Sequence, residues 1–201
     1  LCQKLTDTVA MFLKPDMGAA DAHEFERRVE GLVRELARSF EEWCFNSLEP
    51  QKVEAMPQRV EHLGKKCRRL KKKTRHANVL SRFGNITLTR ATYRQGSRGR
   101  TIAPLEKILG IECGATPGAQ DLVGRQVAAA GSSQGRCIDV IAERTGARIG
   151  PEKLRNLSSH LAEIMEPQRE ACQVQQLEKW IDEARKHSKN VTLAVSRDGV
   201  S

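Results

Sequence analysis

Eight cationic side chains fall within eleven residues: Lys65, Lys66, Arg68, Arg69, Lys71, Lys72, Lys73 and Arg75, with no acid among them. A charge run is most often a solvated face, but eight cations with no acid among them are unusual even so, because like charges repel. The bias extends outward. Residues 61–110 hold 14 basic and 2 acidic side chains, residues 1–60 hold 8 and 11, and residues 111–201 hold 12 of each. All the excess of a chain with net charge +9 therefore sits in one block. That distribution is the footprint of a polyanion-binding surface. A basic segment lying on a membrane needs bulky apolar residues among its charges. Residues 64–76 contain one Leu and no aromatic residue, which favours nucleic acid.

Ahead of the block, residues 19–49 read as one long amphipathic helix. Phe25, Val29, Leu32, Leu36, Phe40 and Trp43 recur at spacings of three and four, with Glu26, Arg27, Arg34 and Glu41 on the other side. The stripe fits a dimerising coiled coil and equally a face packed on the rest of the domain. Pro50 to Pro57 reads as a linker. A short helix is expected next, with Val60, Leu63, Cys67 and Leu70 on one side, running into the basic cluster. Residues 79–93 read as a hairpin, Val79 to Phe83 and Ile86 to Tyr93, turning at Gly84-Asn85.

From Pro104 the period is helical. Pro104 to Leu109 forms a short helix, and Pro117 opens a longer one. Ser132 or Ser133 caps the next, whose inner face carries Cys137, Ile138, Ile141 and Ala142 and which stops at Gly146. Pro151 starts a third helix with Leu154, Leu157, Leu161 and Ile164 inward. A last helix is expected to about Lys186, buried along Val174, Leu177 and Ile181. Beyond it Val191, Leu193 and Val195 alternate with smaller residues as a strand does, and Asp198-Gly199 follows. The helices from Pro117 to Glu166 have the outline of a helix-turn-helix, with Ala142 and Gly146 at the turn. The third would be the reader. Its first half offers Lys153, Arg155 and Asn156, and Arg and Asn can each make paired hydrogen bonds to a base edge. A plain three-helix bundle accounts for the same pattern.

The six cysteines are scattered and include no Cys-x-x-Cys pair. They read as reduced core residues of a cytoplasmic protein. No apolar run approaches membrane-spanning length.

The stretch Phe83-Gly84-Asn85-Ile86-Thr87-Leu88-Thr89-Arg90-Ala91-Thr92-Tyr93 resembles the hairpin motif of the ISKra-type family of bacterial insertion-sequence transposases. Ala103-Pro104-Leu105-Glu106-Lys107-Ile108-Leu109-Gly110-Ile111 is similar to that family's next motif. The helices about Thr145-Gly146 and Pro151 follow in its order, and Leu193 to Val200 resembles the strand that delivers its first catalytic aspartate, here Asp198. The resemblance implies a DDE enzyme, in which carboxylates hold two Mg²⁺ ions for phosphoryl transfer. One carboxylate cannot fix two ions, so the remaining acids are expected beyond Ser201. The chain then reads as an N-terminal fragment that binds DNA without cutting it, with Mg²⁺ implied only for a full-length enzyme. Family members often carry Cys-x-x-Cys pairs on either side of the hairpin as a zinc ribbon. Here Cys67 stands alone before it, and Tyr93-Arg94-Gln95-Gly96 takes the second place. His62, Cys67 and His76 do not supply a convincing set, so no metal is expected.

The expected fold is therefore mainly α with a small β-hairpin: a helical DNA-binding region including a helix-turn-helix, then the first strand of a truncated RNase H-like domain. Its parts are residues 1–50 (long amphipathic helical region), 51–76 (linker and basic segment), 77–103 (hairpin), 104–187 (helix-turn-helix region) and 188–201 (first catalytic strand). The expected partners are double-stranded DNA at the element's ends and a second copy of the chain, with no membrane. The alternative is a stand-alone helix-turn-helix regulator.

Overall fold

The computed structural model describes residues 2–13, 18–96, 99–130 and 133–187. The expected strand at 191–196 and Asp198 lie outside them. The chain divides into two compact units, Leu1–Ser158 and Ser159–Ser201. It is mostly helical with small antiparallel sheets, as the sequence indicates. No helix among the described residues is long and apolar enough to cross a membrane.

Two helices open the first unit, α1 (Cys2–Phe12) and α2 (Ala19–Ser47). Gly18 caps α2: its N–H donates to the Asp21 carboxylate at 2.9 Å, which also places an acid at the positive end of the helix dipole. Pro50 to Pro57 is more than a linker, since a 3-10 turn at Val53–Ala55 buries Val53.

The helix expected around Val60, Leu63, Cys67 and Leu70 is instead a pair of strands, β1 (Arg59–His62) and β2 (Lys65–Arg69). The turn between them holds Leu63 at φ 51° and Gly64 at φ 71°. Positive φ at both central residues is the turn that suits the twist of a two-residue hairpin. Charge provides the second reason. A helix would stack Lys65 on Arg68 and Arg69, and Arg68 on Lys71 and Lys72, at the spacings where like charges repel. A strand sends successive cations to opposite faces.

The hairpin is also shifted from expectation. Strands β3 (Thr74–Ser81) and β4 (Gly84–Arg90) pair with Ser81 opposite Gly84, so the turn is Arg82-Phe83. Ser81 fixes it, its hydroxyl accepting the Phe83 N–H at 3.1 Å. Gly84, at φ 124°, takes a conformation that side-chain-bearing residues rarely adopt. Tyr93 belongs to another strand, β5 (Tyr93–Arg94), which with β6 (Thr101–Ile102) completes a four-stranded antiparallel sheet in the order β1-β2-β5-β6.

After the short α3 (Pro104–Ile108) come α4 (Pro117–Ala130), α5 (Gln134–Thr145) and α6 (Pro151–Met165). Ser133 caps α5 by accepting the Arg136 N–H, and Gly146 ends it at φ 75°. Their shared core joins Val123 of α4, Ile138 and Ile141 of α5, and Leu154 and Leu157 of α6 with Leu80 of β3. A second cluster packs Val79, Ile86, Leu88 and Ile111 with Phe45 of α2.

In the second unit α7 (Arg169–His187) follows a 3-10 turn at Glu166–Gln168. Val174 and Leu177 are exposed there, against the expected buried stripe, and so is Ile164 near the end of α6.

Candidate nucleic-acid interface

Strand alternation sorts the basic block into two faces. Cys67 pairs with Val60, and Arg69 with Tyr93, which pairs in turn with Ile102. These residues point into a small core of Val53, Cys67, Ala91 and Tyr93, with Met56, Val60 and Ile102 at its margin. The opposite face carries Arg59, Arg68 and Arg94 in direct cross-strand register on β1, β2 and β5. Arg59 and Arg68 are exposed and Arg94 half-buried. Arg94 donates from Nε and Nη2 to the Thr101 hydroxyl at 3.3 and 3.2 Å, which ties its guanidinium to β6. Lys66 lies on the same face, opposite Glu61, the one acid those strands carry there.

Residues in such register have Cβ atoms about 5 Å apart, and like charges so placed destabilise a sheet. The Arg59–Arg68 pair therefore weighs against the sheet, with Glu61 on the same face offsetting part of it. Exposed Lys71, Lys72 and Arg75 continue the positive surface through the loop into β3.

Not every cation of the block faces outward. Arg69 donates from Nη1 to the backbone carbonyl of Met56 and, at 3.3 Å, to that of Glu54, anchoring the 3-10 turn. Lys73 reaches the buried Glu49 carboxylate at 3.3 Å. That same Glu49 oxygen accepts the Ala91 N–H at 2.7 Å. A half-buried carboxylate on α3, Glu106, forms an ion pair with Arg90, whose Nε lies 2.7 Å away, and contacts His76 Nδ1. Arg69 and Lys73 are thus consumed by the fold. Lys65, Lys66, Arg68, Lys71, Lys72 and Arg75 remain at the surface.

On the helical side Arg155 and Asn156 are exposed on the first half of α6. Lys153 is turned inward: its Nζ donates to the Asn78 carbonyl at 2.8 Å, and burial holds its pKa below the ordinary lysine value. Asn78, at φ 59°, sits in the irregular step of β3 between His76 and Val79, which presents that carbonyl to the helix. Lys153 therefore ties α6 to the hairpin, and Arg155 and Asn156 are left as the outward groups.

Arg59 and Arg94 were not among the sequence candidates, because they lie outside the dense run. Once three strands are recognised, their register with Arg68 is the signal that finds them. Among the described residues no group of three or more His, Cys, Asp and Glu side chains is placed to hold a metal ion. Comparison of the chain with models of protein families, with curated proteins and with solved structures returns no match.

Proposed function

We propose that this chain is a double-stranded-DNA-binding, N-terminal part of an insertion-sequence transposase, with the β1-β2-β5 face gripping the backbone and α6 reading sequence. The observation that carries the DNA-binding part is the row Arg59, Arg68 and Arg94, extended by Lys66, Lys71, Lys72 and Arg75. Arg59 and Arg68 repel each other across the strands, and phosphates placed over this face relieve that repulsion. In the same reading α4, α5 and α6 form the helix-turn-helix. The turn after Gly146 spans residues 147–150, and Arg155 and Asn156 are its base-reading side chains.

The transposase assignment rests on the sequence resemblance. Within it Asp198 is a metal ligand for Mg²⁺ and the element's ends are the DNA bound. Asp198 lies outside the described residues, and no chemical step is assigned to the described part.

The test is equilibrium binding of a short duplex across salt concentrations. With six or more phosphates engaged, the logarithm of the binding constant should fall against log salt with a slope of about −5 or steeper. Replacing Arg59, Arg68 and Arg94 together by Gln should make that slope shallower by roughly 2 to 3. Affinity that does not respond to salt, or a triple variant with an unchanged slope, refutes the proposed face.

A further inference from the structure

The α2 helix leaves an apolar face largely exposed among the described residues, with α1 lying beside its first half. Along α2, Val29, Val33, Leu36, Phe40 and Trp43 follow one another at steps of four, three, four and three residues. That is an a/d heptad seam, with Val33 and Phe40 at a and Val29, Leu36 and Trp43 at d. All five are exposed, from 37% at Val29 to 65% at Trp43. The helix uses a different side for the rest of the molecule, since Glu42, Phe45 and Asn46 face the β3-β4 hairpin. Leu5, Val9 and Phe12 of α1, also exposed, continue the apolar surface beside the seam. Between the two helices lies an apolar groove of about 280 Å³ lined by Leu5, Val9, Val29, Val33 and Leu36.

We propose that this α1-α2 face is the interface of a homodimer, in which α2 pairs antiparallel with α2 of a second copy about a two-fold axis near Arg38. Area is the first argument. The exposed parts of these eight side chains amount to roughly 700 Å², above the ~300–600 Å² patch of an ordinary monomer and near the ~800 Å² per partner of a standard interface. Charge is the second. Residues 1–60 hold 8 basic and 11 acidic side chains, so this end of the chain repels phosphate and anionic lipid.

Self-complementarity selects a second copy. In an antiparallel pair an a position packs against a d position of the other helix. That sets Val33 against Trp43 of the partner subunit and Leu36 against Phe40 of the partner subunit. Each layer then joins a large residue to a smaller one, as a close-packed core requires. A parallel pair would set Trp43 on Trp43 and Val33 on Val33, alternately overfilled and empty. Ala37 and Ser39, flanking the seam near the axis, are small enough to let the helices approach. The groove beside Val33 receives the partner's Trp43, and a cavity of about 150 Å³ already holds a benzene ring. An isologous contact of this kind closes at two copies.

The dimer does not depend on the DNA-binding reading, and its test is separate. The mass of the full 201-residue chain in solution is measured by sedimentation over a range of concentrations. A dimer is expected. Leu36→Glu with Phe40→Glu should raise its dissociation constant at least about a hundredfold while the helical circular dichroism is unchanged. An arrangement test avoids any question of folding. Ala37→Cys, near the axis, should cross-link to its own copy under mild oxidation, with the two peptides that span the substituted position found joined by mass spectrometry. Val33→Cys should not. A chain that stays monomeric at all concentrations overturns the proposal, as does self-cross-linking through Val33→Cys in place of Ala37→Cys.

Discussion

Asn46→Ala tests how the first unit is held together. Strand β4 has β3 on one edge, and α2 covers the other with side chains in place of a strand. Glu42 Oε2 accepts the Thr87 N–H at 2.9 Å. Asn46 Nδ2 donates to the Thr87 carbonyl at 2.9 Å, and Asn46 Oδ1 accepts the Thr89 N–H at 2.7 Å. Glu49 accepts from Ala91. Positions 42, 46 and 49, about one helical turn apart, thus meet residues 87, 89 and 91 on one edge of the strand. Removing the Asn46 amide leaves one backbone donor and one acceptor without a partner, each costing about 1–3 kcal/mol when buried. Both sites are half-buried, so water returns in part and the lower half of that range applies. The expected loss is about 2–3 kcal/mol, or a fall in Tm of roughly 5–10 °C for a chain of this size. Asn46→Asp sharpens the test. It keeps the acceptor for Thr89 but sets a carboxylate against the Thr87 carbonyl. Only the protonated carboxyl can donate there, so its folded pKa is raised. That contribution is present at low pH and lost as pH rises through the folded pKa. Measured by circular dichroism melts against Asn46→Ala at each pH, Asn46→Asp should therefore gain relative stability on acidification. A loss under ~0.5 kcal/mol for Asn46→Ala, the scale of an ordinary surface substitution, would refute the ladder.

Two further outcomes follow from the interface. The Tyr93 hydroxyl donates to the Pro57 carbonyl at 3.1 Å, and burial raises its pKa above the ordinary tyrosine value, opposed by the Arg69 guanidinium and aided by the Glu49 carboxylate. A raised folded pKa gives stability that is full below the unfolded value and lost as pH climbs through the folded one. Tyr93→Phe should cost about 1 kcal/mol at neutral pH and flatten the loss of stability above about pH 10, as read by denaturant titration across that range. Arg155→Ala with Asn156→Ala should leave affinity for random duplex nearly unchanged and reduce preference for a selected target site by roughly tenfold or more, at ~1–3 kcal/mol per base contact. Equal losses on both DNAs would show that α6 does not read bases.

Much of the helical part was legible in the sequence, because periodicity, Pro starts and the Ser133 and Gly146 caps are local signals. The four-stranded sheet was not. Val60, Leu63, Cys67 and Leu70 lie at steps of three and four, the spacing of a helical stripe, and the paired left-handed turn at Leu63-Gly64, with the repulsion a helix would impose on the cations, decides for strands. Leu63 itself is 83% exposed, so the residue that completed the apparent stripe packs against nothing. The hairpin register was missed because Gly84-Asn85 has turn chemistry, whereas Arg82-Phe83 does not. There the Ser81 hydroxyl closes the turn locally, and the close approach of Gly84 to Thr145 and Arg38, a tertiary contact, decides. The basic run was plain, but its division into outward cations and inward anchors required strand alternation. Lys153 resembles a DNA contact in the sequence for the same reason: nothing local shows that the carbonyl of Asn78, 75 residues earlier, accepts its hydrogen bond.

That division can be tested where binding and stability should move in opposite directions. Arg68 stands between Arg59 and Arg94, in register with both. Were it there to support the fold, its loss would weaken the protein. As a binding residue it is tolerated despite two like-charge neighbours, and each such cross-strand pair is worth about 0.2–1 kcal/mol. Arg68→Glu turns the Arg59 pair from repulsive to attractive, so the free protein should become more stable by roughly 0.2–1 kcal/mol at low salt. Added salt should shrink that gain, since all three side chains reach solvent. Duplex DNA binding should fall at the same time by more than the loss of one phosphate contact, because a carboxylate then lies among the remaining cations. Arg69→Glu supplies the contrast. Arg69 anchors the Glu54 and Met56 carbonyls, so its replacement should destabilise the sheet. Denaturant melts and duplex titrations on the two variants separate the cases. If Arg68→Glu lowers stability as Arg69→Glu does, the row is structural and the proposed binding face is wrong. If it raises stability and abolishes binding, the repulsion was kept for the phosphates.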